Sequence, residues 1–235
     1  MKAADDLLSK VMKPRPPWWR RWLKRLGKGF LIAAILIAGR MAWHHYQTTK
    51  KLNEALAELD RVEPGWRLKE IEAAREQIPE EENGARVVVA AAKLLPKDWP
   101  SQEFADRFAD LTPEVQLAPD DFAALTKELF QLEPALKEAR TLFNLSRGRH
   151  HITYRTPFIS TVMNDQAESR RVKALLHYDA LRHAQNGDAH QAIRACRAAF
   201  NAGRSLGDEP LSISQLIRNA CIFAACHDLE RILAQ

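Results

Sequence analysis

Apolar positions recur along this chain with two different rhythms. Residues 29–39 form a run of eleven without a polar side chain, with Phe30, Leu31, Ile32, Ile35, Leu36 and Ile37 spread around every face of a helix. From residue 50 on, apolar residues recur instead at i, i+3 and i+4, the mark of helices with one buried stripe. Leu52, Ala55, Leu56 and Leu59 carry the first such helix up to Pro64 and Gly65, which stop it. Two helices over 68–78 and 82–95 follow, separated by Pro79 and closed by Pro96. Ser101 is placed to cap a short helix that ends before Thr112 and Pro113. Pro119, Asp120 and Asp121 open a longer one, and Pro134 divides 120–132 from 134–145.

The last third is the most regular. A helix over 165–186 ends at Gly187, and Asp188 caps the next, whose Ala189, Ala192, Ile193, Cys196, Ala199, Phe200 and Gly203 share one face. Ile193 and Phe200 are expected to be buried there. Gly207 and Pro210 separate a final helix, with Ile213, Leu216, Ile217, Ala220 and Ala224 on the stripe expected to face the core. Only residues 148–161 have β character: His150, Ile152 and Tyr154 alternate, which suits a hairpin or an extended loop. The fold class is therefore all-α: an N-terminal transmembrane helix followed by an irregular bundle of antiparallel helical hairpins.

The flanks of the first run decide how it is read. Eleven residues alone fit a signal peptide better than a span of about 20. Yet Trp18, Trp19 and Trp22 stand before the run and Trp43 and Tyr46 after it, and 22 to 43 covers about 32 Å of helix. That matches a hydrocarbon core of about 30 Å with aromatic belts. Lys24, Arg25, Lys28 and Arg40 sit near the ends, where long side chains reach the headgroups. Arg40 lies three residues before any cut after Ala42, which disfavours cleavage there. The expected organisation is a basic cytoplasmic head (1–25), a transmembrane helix (26–46), a helical stalk (47–63) and a soluble helical domain (64–235).

Charge fixes the orientation. The net charge of +5 is unevenly spread: residues 1–51 carry twelve Lys/Arg against Asp5 and Asp6, and the remainder is acidic. An acidic body excludes non-specific nucleic-acid binding, which needs a continuous cationic footprint. Six Lys/Arg lie in 14–28 but only Lys50 and Lys51 in 44–58, so the N-terminus is expected in the cytoplasm and the C-terminal domain across the inner membrane. The partners implied are the lipid bilayer along 26–46, anionic lipid at the basic head, and another envelope protein.

Catalytic and metal-binding patterns are missing from the sequence. His177 and His183 are six residues apart and share no helix face, and the pairs His44, His45 and His150, His151 diverge in regular structure. Cys221 and Cys226, five apart on one helix, suit neither a disulfide nor chelation, although a bridge between Cys196 and Cys221 is conceivable, and there is no Gly-rich phosphate loop. No cofactor and no metal are expected. Glu80, Glu81 and Glu82 are explained by a helix N-terminus. The cationic loop with Arg147, Arg149, His150, His151 and Arg155 is the candidate anion or partner site. The alternative is an envelope enzyme near that loop, drawing on Glu168, His177 or Asp179.

Gly187, Asp188, Ala192, Cys196 and Ala199 resemble the turn and second helix of a tetratricopeptide-type hairpin, over about 25 residues. The whole layout resembles single-span bacterial membrane proteins with a helical domain outside the cytoplasm. Both resemblances imply a membrane-anchored interaction or scaffold role and no particular reaction.

Overall fold

A computed structural model describes residues 18–109, 112–155, 161 and 163–234, without the side chains of 18–25, 27 and 164. The chain divides into two units, Met1–Arg67 and Leu68–Gln235. The first is one helix, α1 (Trp18–Val62), of 45 residues. Its end is fastened by Asp60, which accepts from Trp66 Nε1 at 2.8 Å and from Arg67 at 2.7 and 2.9 Å. Among the described residues no helix is long and apolar enough to cross a membrane. The physical reason is local: Lys28 and Arg40 bracket the apolar run, and His44 and His45 follow it. The basic head up to residue 17, and the side chains of Trp18, Trp19 and Trp22 that were to form one aromatic belt, lie outside the described residues.

The second unit is all-α. Its helices are α2 (Leu68–Ala74), α3 (Gly84–Lys93), α4 (Gln102–Arg107), α5 (Pro119–Gln131), α6 (Glu133–Arg140), α7 (Asn164–Gln185), α8 (Ala189–Arg204) and α9 (Ser212–Ala234), with 3-10 turns at Glu80–Glu82 and Thr141–Asn144. Their ends follow local chemistry. Ser101 accepts from Phe104 N at 3.2 Å and Asp188 from Gln191 N at 3.1 Å. Pro119 and Pro134 lie in the first turns of α5 and α6, where a missing N–H costs nothing. Gly187, at φ +73, ends α7 in the left-handed region.

α7, α8 and α9 pack against one another, and α3, α5 and α6 also pack against α7. Val88, Leu125, Leu129, Leu136, Leu142, Val172, Leu175 and Leu176 are fully enclosed between these layers. Tyr178 joins Phe104, Phe108 and Trp99 edge to face, with ring centroids 4.9 to 6.1 Å away. α8 buries a face of small residues, Ala192, Ala195, Cys196, Ala198, Ala199, Asn201, Ala202 and Gly203.

Two expectations need correction. Ile193 does not share the buried stripe of α8: it is 45% exposed, and Phe200 is only half-buried. The core-facing side of α9 is Ser214, Cys221, Ala225, Asp228, Arg231 and Ile232, while Ile213, Leu216 and Ala220 of the expected stripe point outward. Of the two forms expected for 148–161, the described residues 148–155 show the extended loop and no strand, and 156–160 lie outside the described residues. His150 and Ile152 are buried and His151 and Thr153 exposed, as in a strand, but the only pairing is one bridge between Asn83 and Arg147.

Gly203 tests the α8–α9 contact. A Cβ there stands 2.8 Å from Cys221 Cβ and 3.3 Å from Arg218 O. Gly203→Ala is expected to cost about 1–3 kcal/mol by overpacking, whereas Ile193→Ala changes stability by no more than about 0.5 kcal/mol. Urea unfolding followed by circular dichroism measures both.

Candidate functional site

The loop after the 3-10 turn Thr141–Asn144 is tied to the start of α3 by one side chain. Asn83 donates from Nδ2 to Arg149 O at 3.0 Å, and its Oδ1 accepts from Arg149 N at 2.9 Å and Ala85 N at 3.1 Å. Gly84 N donates to Arg147 O at 2.9 Å. On the far side, a Cβ on Gly148 stands 2.3 Å from Ser205 O, so only glycine fits between loop and α8 terminus.

The cations of this loop meet carboxylates from 72–82. Arg147 pairs with Glu76 at 2.5 Å and with Glu82. Arg149 donates to Glu72 at 2.8 Å and to the carbonyl of Glu76 at 3.1 Å. Glu72 also accepts from Tyr154 at 2.8 Å and from Arg75 at 3.0 Å, and Arg75 reaches Asp208 at 3.0 Å. Burial opposes the charge on Glu72, but the bonds from Tyr154, Arg75 and Arg149 outweigh it and hold the carboxyl below its ordinary range. Burial and the Glu72 bond push the Tyr154 phenol up to about 12. The expected cationic patch is thus largely neutralised at Arg147 and Arg149. His151 and Arg155 are exposed, with no ion pair among the described residues.

Beneath the loop lie three charged or polar side chains with little exposure: Arg75 at 4%, His150 at 3% and Glu209 at 1%. Arg75 Nη2, His150 Nε2 and Glu209 Oε2 have neither accessible surface nor a hydrogen-bond partner. Burial lowers the His150 pKa to about 4, with Arg75 acting in the same direction and Asp165 against it. Burial raises Glu209, although Ser214 and Gln166 bond to it.

Arg149, His150 and His151 line one cleft of about 750 Å³, with Asn83, Asp165 and an apolar floor of Ala85, Val89, Ala90 and Leu94. Arg147 opens instead into a hollow of about 270 Å³ with Arg204, Arg218 and Asp208. Arg155 lines neither. The loop residues singled out by composition therefore divide between two surfaces.

The alternative acid–base residues do not gather at the loop. Glu168 pairs with Arg171 at 2.7 Å, and buried Asp179 accepts from Arg140 and Arg182, both at 2.8 Å. His177 Nδ1 meets Asp228 Oδ1 at 2.6 Å, with Lys173 Nζ 3.2 Å from the other oxygen. Burial works against the Asp228 charge, yet His177 and Lys173 keep its pKa low. His177 borders a cleft of about 360 Å³ with Phe108, Tyr178, His227 and Arg231. His177 and Asp228 are 51 positions apart on different helices, so no spacing rule exposes the pair. Cys196 and Cys221 are buried free thiols, not a bridge, and Cys226 is exposed. Among the described residues no three His, Cys, Asp or Glu side chains are grouped to hold a metal ion.

Neither protein families, nor curated protein sequences, nor solved structures give a match to the chain.

The depressed His150 pKa has a consequence for stability. Between pH about 4 and 6.5 the unfolded chain binds a proton that the folded chain excludes, so this group's contribution is lost as pH falls through that window. Glu209, raised by burial, acts in the opposite sense above its ordinary value. Comparing the wild type with His150→Asn isolates the histidine. From pH 7 to 4.5 the wild type should lose on the order of 2 kcal/mol more than the variant, as read from urea unfolding across that range.

Proposed function

We propose that this chain is a membrane-anchored helical interaction or scaffold module of the bacterial envelope. In this reading residues 26–46 lie in the inner membrane, the basic head rests on anionic lipid in the cytoplasm, and the unit from residue 68 meets another envelope protein on the far side.

One observation carries the anchoring. Phe30, Leu31, Ile32, Ile35, Leu36, Ile37, Met41, Trp43 and Tyr46 of α1 are each between 59% and 78% exposed, and together they surround the helix. Leaving a large apolar side chain in water forgoes about 1.5–3 kcal/mol of burial. Nine of them on all sides call for a medium that covers every face, which hydrocarbon does. Lys28 and Arg40 are about 18 Å apart along the helix, less than the core thickness, so their heads must snorkel outward. Six Lys/Arg in 14–28 against two in 44–58 support the cytoplasmic head.

The interaction role draws on the hairpin geometry and on the cleft beside α3. Its floor is apolar and its rim carries Arg86, Lys93, Arg149 and His151 against Glu80, Glu138 and Asp165, the mixed lining of a protein contact. The tetratricopeptide-like turn at Gly187 and Asp188 is compatible with such a role. A second reading, an envelope enzyme acting near 147–155, is favoured by the unpartnered atoms of Arg75, His150 and Glu209. Those atoms have no accessible surface, so a substrate does not reach them in this conformation, and the interaction reading ranks first.

Two measurements test the proposal. Ile35→Arg adds about 2.5–3.5 kcal/mol to insertion of a short span and should move the chain from the carbonate-resistant membrane fraction to the soluble or aggregated one. A reporter fused after Gln235 should report export. An Ile35→Arg chain that stays in the membrane fraction, or a cytoplasmic reporter signal, would end the anchoring or the orientation respectively.

For the partner surface, reversing Arg147 and Arg149 is a poor probe, because it sets new carboxylates against Glu72, Glu76 and Glu82. Lys93→Glu with His151→Glu changes the cleft rim without breaking an ion pair among the described residues. Circular dichroism should be unchanged and membrane pull-down of the partner reduced at least about tenfold at low salt. Equal capture by wild type and variant would remove this cleft as the contact.

A further inference from the structure

The helix α8 carries Arg194, Arg197 and Arg204 and not one Asp, Glu or Lys. The helical repeat sets these arginines on one side, with Ile193 and Phe200 between them, opposite the small residues that α8 buries. None of the three has an ion pair among the described residues. Arg194 and Arg197 share the ring of Phe143, their guanidinium carbons 4.0 and 4.5 Å from its centroid, and Arg204 lies 5.9 Å from the centroid of Phe200.

The carboxylates that come near these arginines are committed elsewhere. Asp179, which shares a small recess with Arg194, accepts from Arg140 and Arg182. Glu76 and Asp208, which line the hollow that Arg204 borders, pair with Arg147 and Arg75. A guanidinium laid on an aromatic face is held in direction by the ring and keeps its N–H edge for an incoming anion. Two such cations around one ring, with no counter-charge on their own helix, are set for a partner that brings it.

We infer that this side of α8 docks a short acidic segment of another protein. Its carboxylates meet Arg194 and Arg197 at one end and Arg204 at the other, and its apolar side chains cover Ile193 and Phe200. Charge selects an anion, and length selects a chain, because Arg194 and Arg204 are about 15 Å apart along the helix, more than one phosphate or carboxylate covers. The ends select a short one. Asp188 and Asp208 stand beyond the arginines on either side, their side chains 48% and 54% exposed. A nucleic-acid strand or an anionic lipid surface runs on past the arginines and meets those carboxylates, whereas a short segment stops between them. Composition selects a protein. Arginine interleaved with Ile193, 45% exposed, and half-buried Phe200, without lysine, is the make-up of a protein contact. Neither the cleft beside α3 nor the membrane anchor enters this inference.

A reporter placed on α8 tests it without interference from the basic head, which also attracts acidic peptides. His190 is exposed one turn before Arg194, Cys226 is the exposed thiol, and Cys196 and Cys221 are buried. The full chain with His190→Cys and Cys226→Ser, in detergent micelles, is labelled with an environment-sensitive maleimide dye. It is titrated with a synthetic peptide repeating glutamate, glutamate and leucine. The dye should report saturable binding that weakens as salt is raised, and the same peptide with glutamine for glutamate should bind at least about tenfold more weakly.

Adding Arg194→Gln with Arg197→Gln should weaken the glutamate peptide at least about tenfold, with an unchanged circular dichroism spectrum. Arg194→Lys with Arg197→Lys keeps the charge but loses the planar fork, and should weaken it at least about threefold. Equal binding by the wild type and either double variant would overturn the inference, as would equal binding of the two peptides. Vesicles of phosphatidylcholine with phosphatidylserine and a single-stranded oligonucleotide are titrated in parallel. A dye response to either of them with none to the peptide would also overturn it, in favour of a membrane or a nucleic acid.

Discussion

The helix Ala189–Arg204 buries no side chain larger than asparagine, and that constraint sets the positions of the helices on both sides of it. Six of the eight residues it buries are alanine or glycine, so α7 and α9 come close enough for a Cβ at Gly203 to collide with Cys221. Close approach replaces large apolar side chains with many backbone and methyl contacts. It also brings polar groups within reach of one another. Asn201 Nδ2 donates to Leu142 O at 2.8 Å, and Ser205 Oγ donates to Ala202 O at 2.7 Å and lies 3.3 Å from Ser169 Oγ. Each is buried and partnered, as the interior demands.

The outward stripe of α9 follows from this. Only a small face fits against α8, and on α9 that face is Ser214, Cys221 and Ala225, with Asp228 and Arg231 continuing it toward α7 and residues 112–115. Ile213, Leu216 and Phe223 are too large for the gap. Hydrophobic periodicity located this helix and then chose the wrong side of it, because periodicity measures apolarity and the contact selects for size. The same reason put Ile193 in the core of a helix whose buried face is alanine. By contrast, the caps at Ser101 and Asp188 and the stops at Gly187, Pro119 and Pro134 were legible, since each depends on a bond or clash within four residues.

The loop at 147–155 shows the other limit of a linear reading. Composition picks out its arginines, but not that Glu72, Glu76 and Glu82 lie against them, because those contacts span 65 to 77 positions. Glu82, explained locally by a helix N-terminus, in fact neutralises Arg147. The alternation of His150, Ile152 and Tyr154 did reflect alternate burial, yet an extended segment becomes a strand only with a partner ladder. Asn83 supplies a side-chain substitute for one. The buried Arg75, His150 and Glu209 had no sequence signal, since burial of a charge is a property of the surroundings.

Two of the exposed apolar surfaces differ in their symmetry. Residues 29–39 of α1 are apolar around the whole circumference, with no polar face to turn toward water, so a one-sided contact with a protein surface would still leave most of that segment wet. A fluid that surrounds the helix is the better match. The outward stripe of α9 is apolar on one side only, and the opposite side is already committed to Lys173, His177 and the carbonyls of 112 and 115. Immersing such a helix in hydrocarbon would cost more for its neighbours' charges than the stripe returns. A surface of matching width covers it without that cost. All-round and one-sided exposure in one chain are therefore different demands, the first met only by a medium that surrounds a helix and the second by a surface that covers one side.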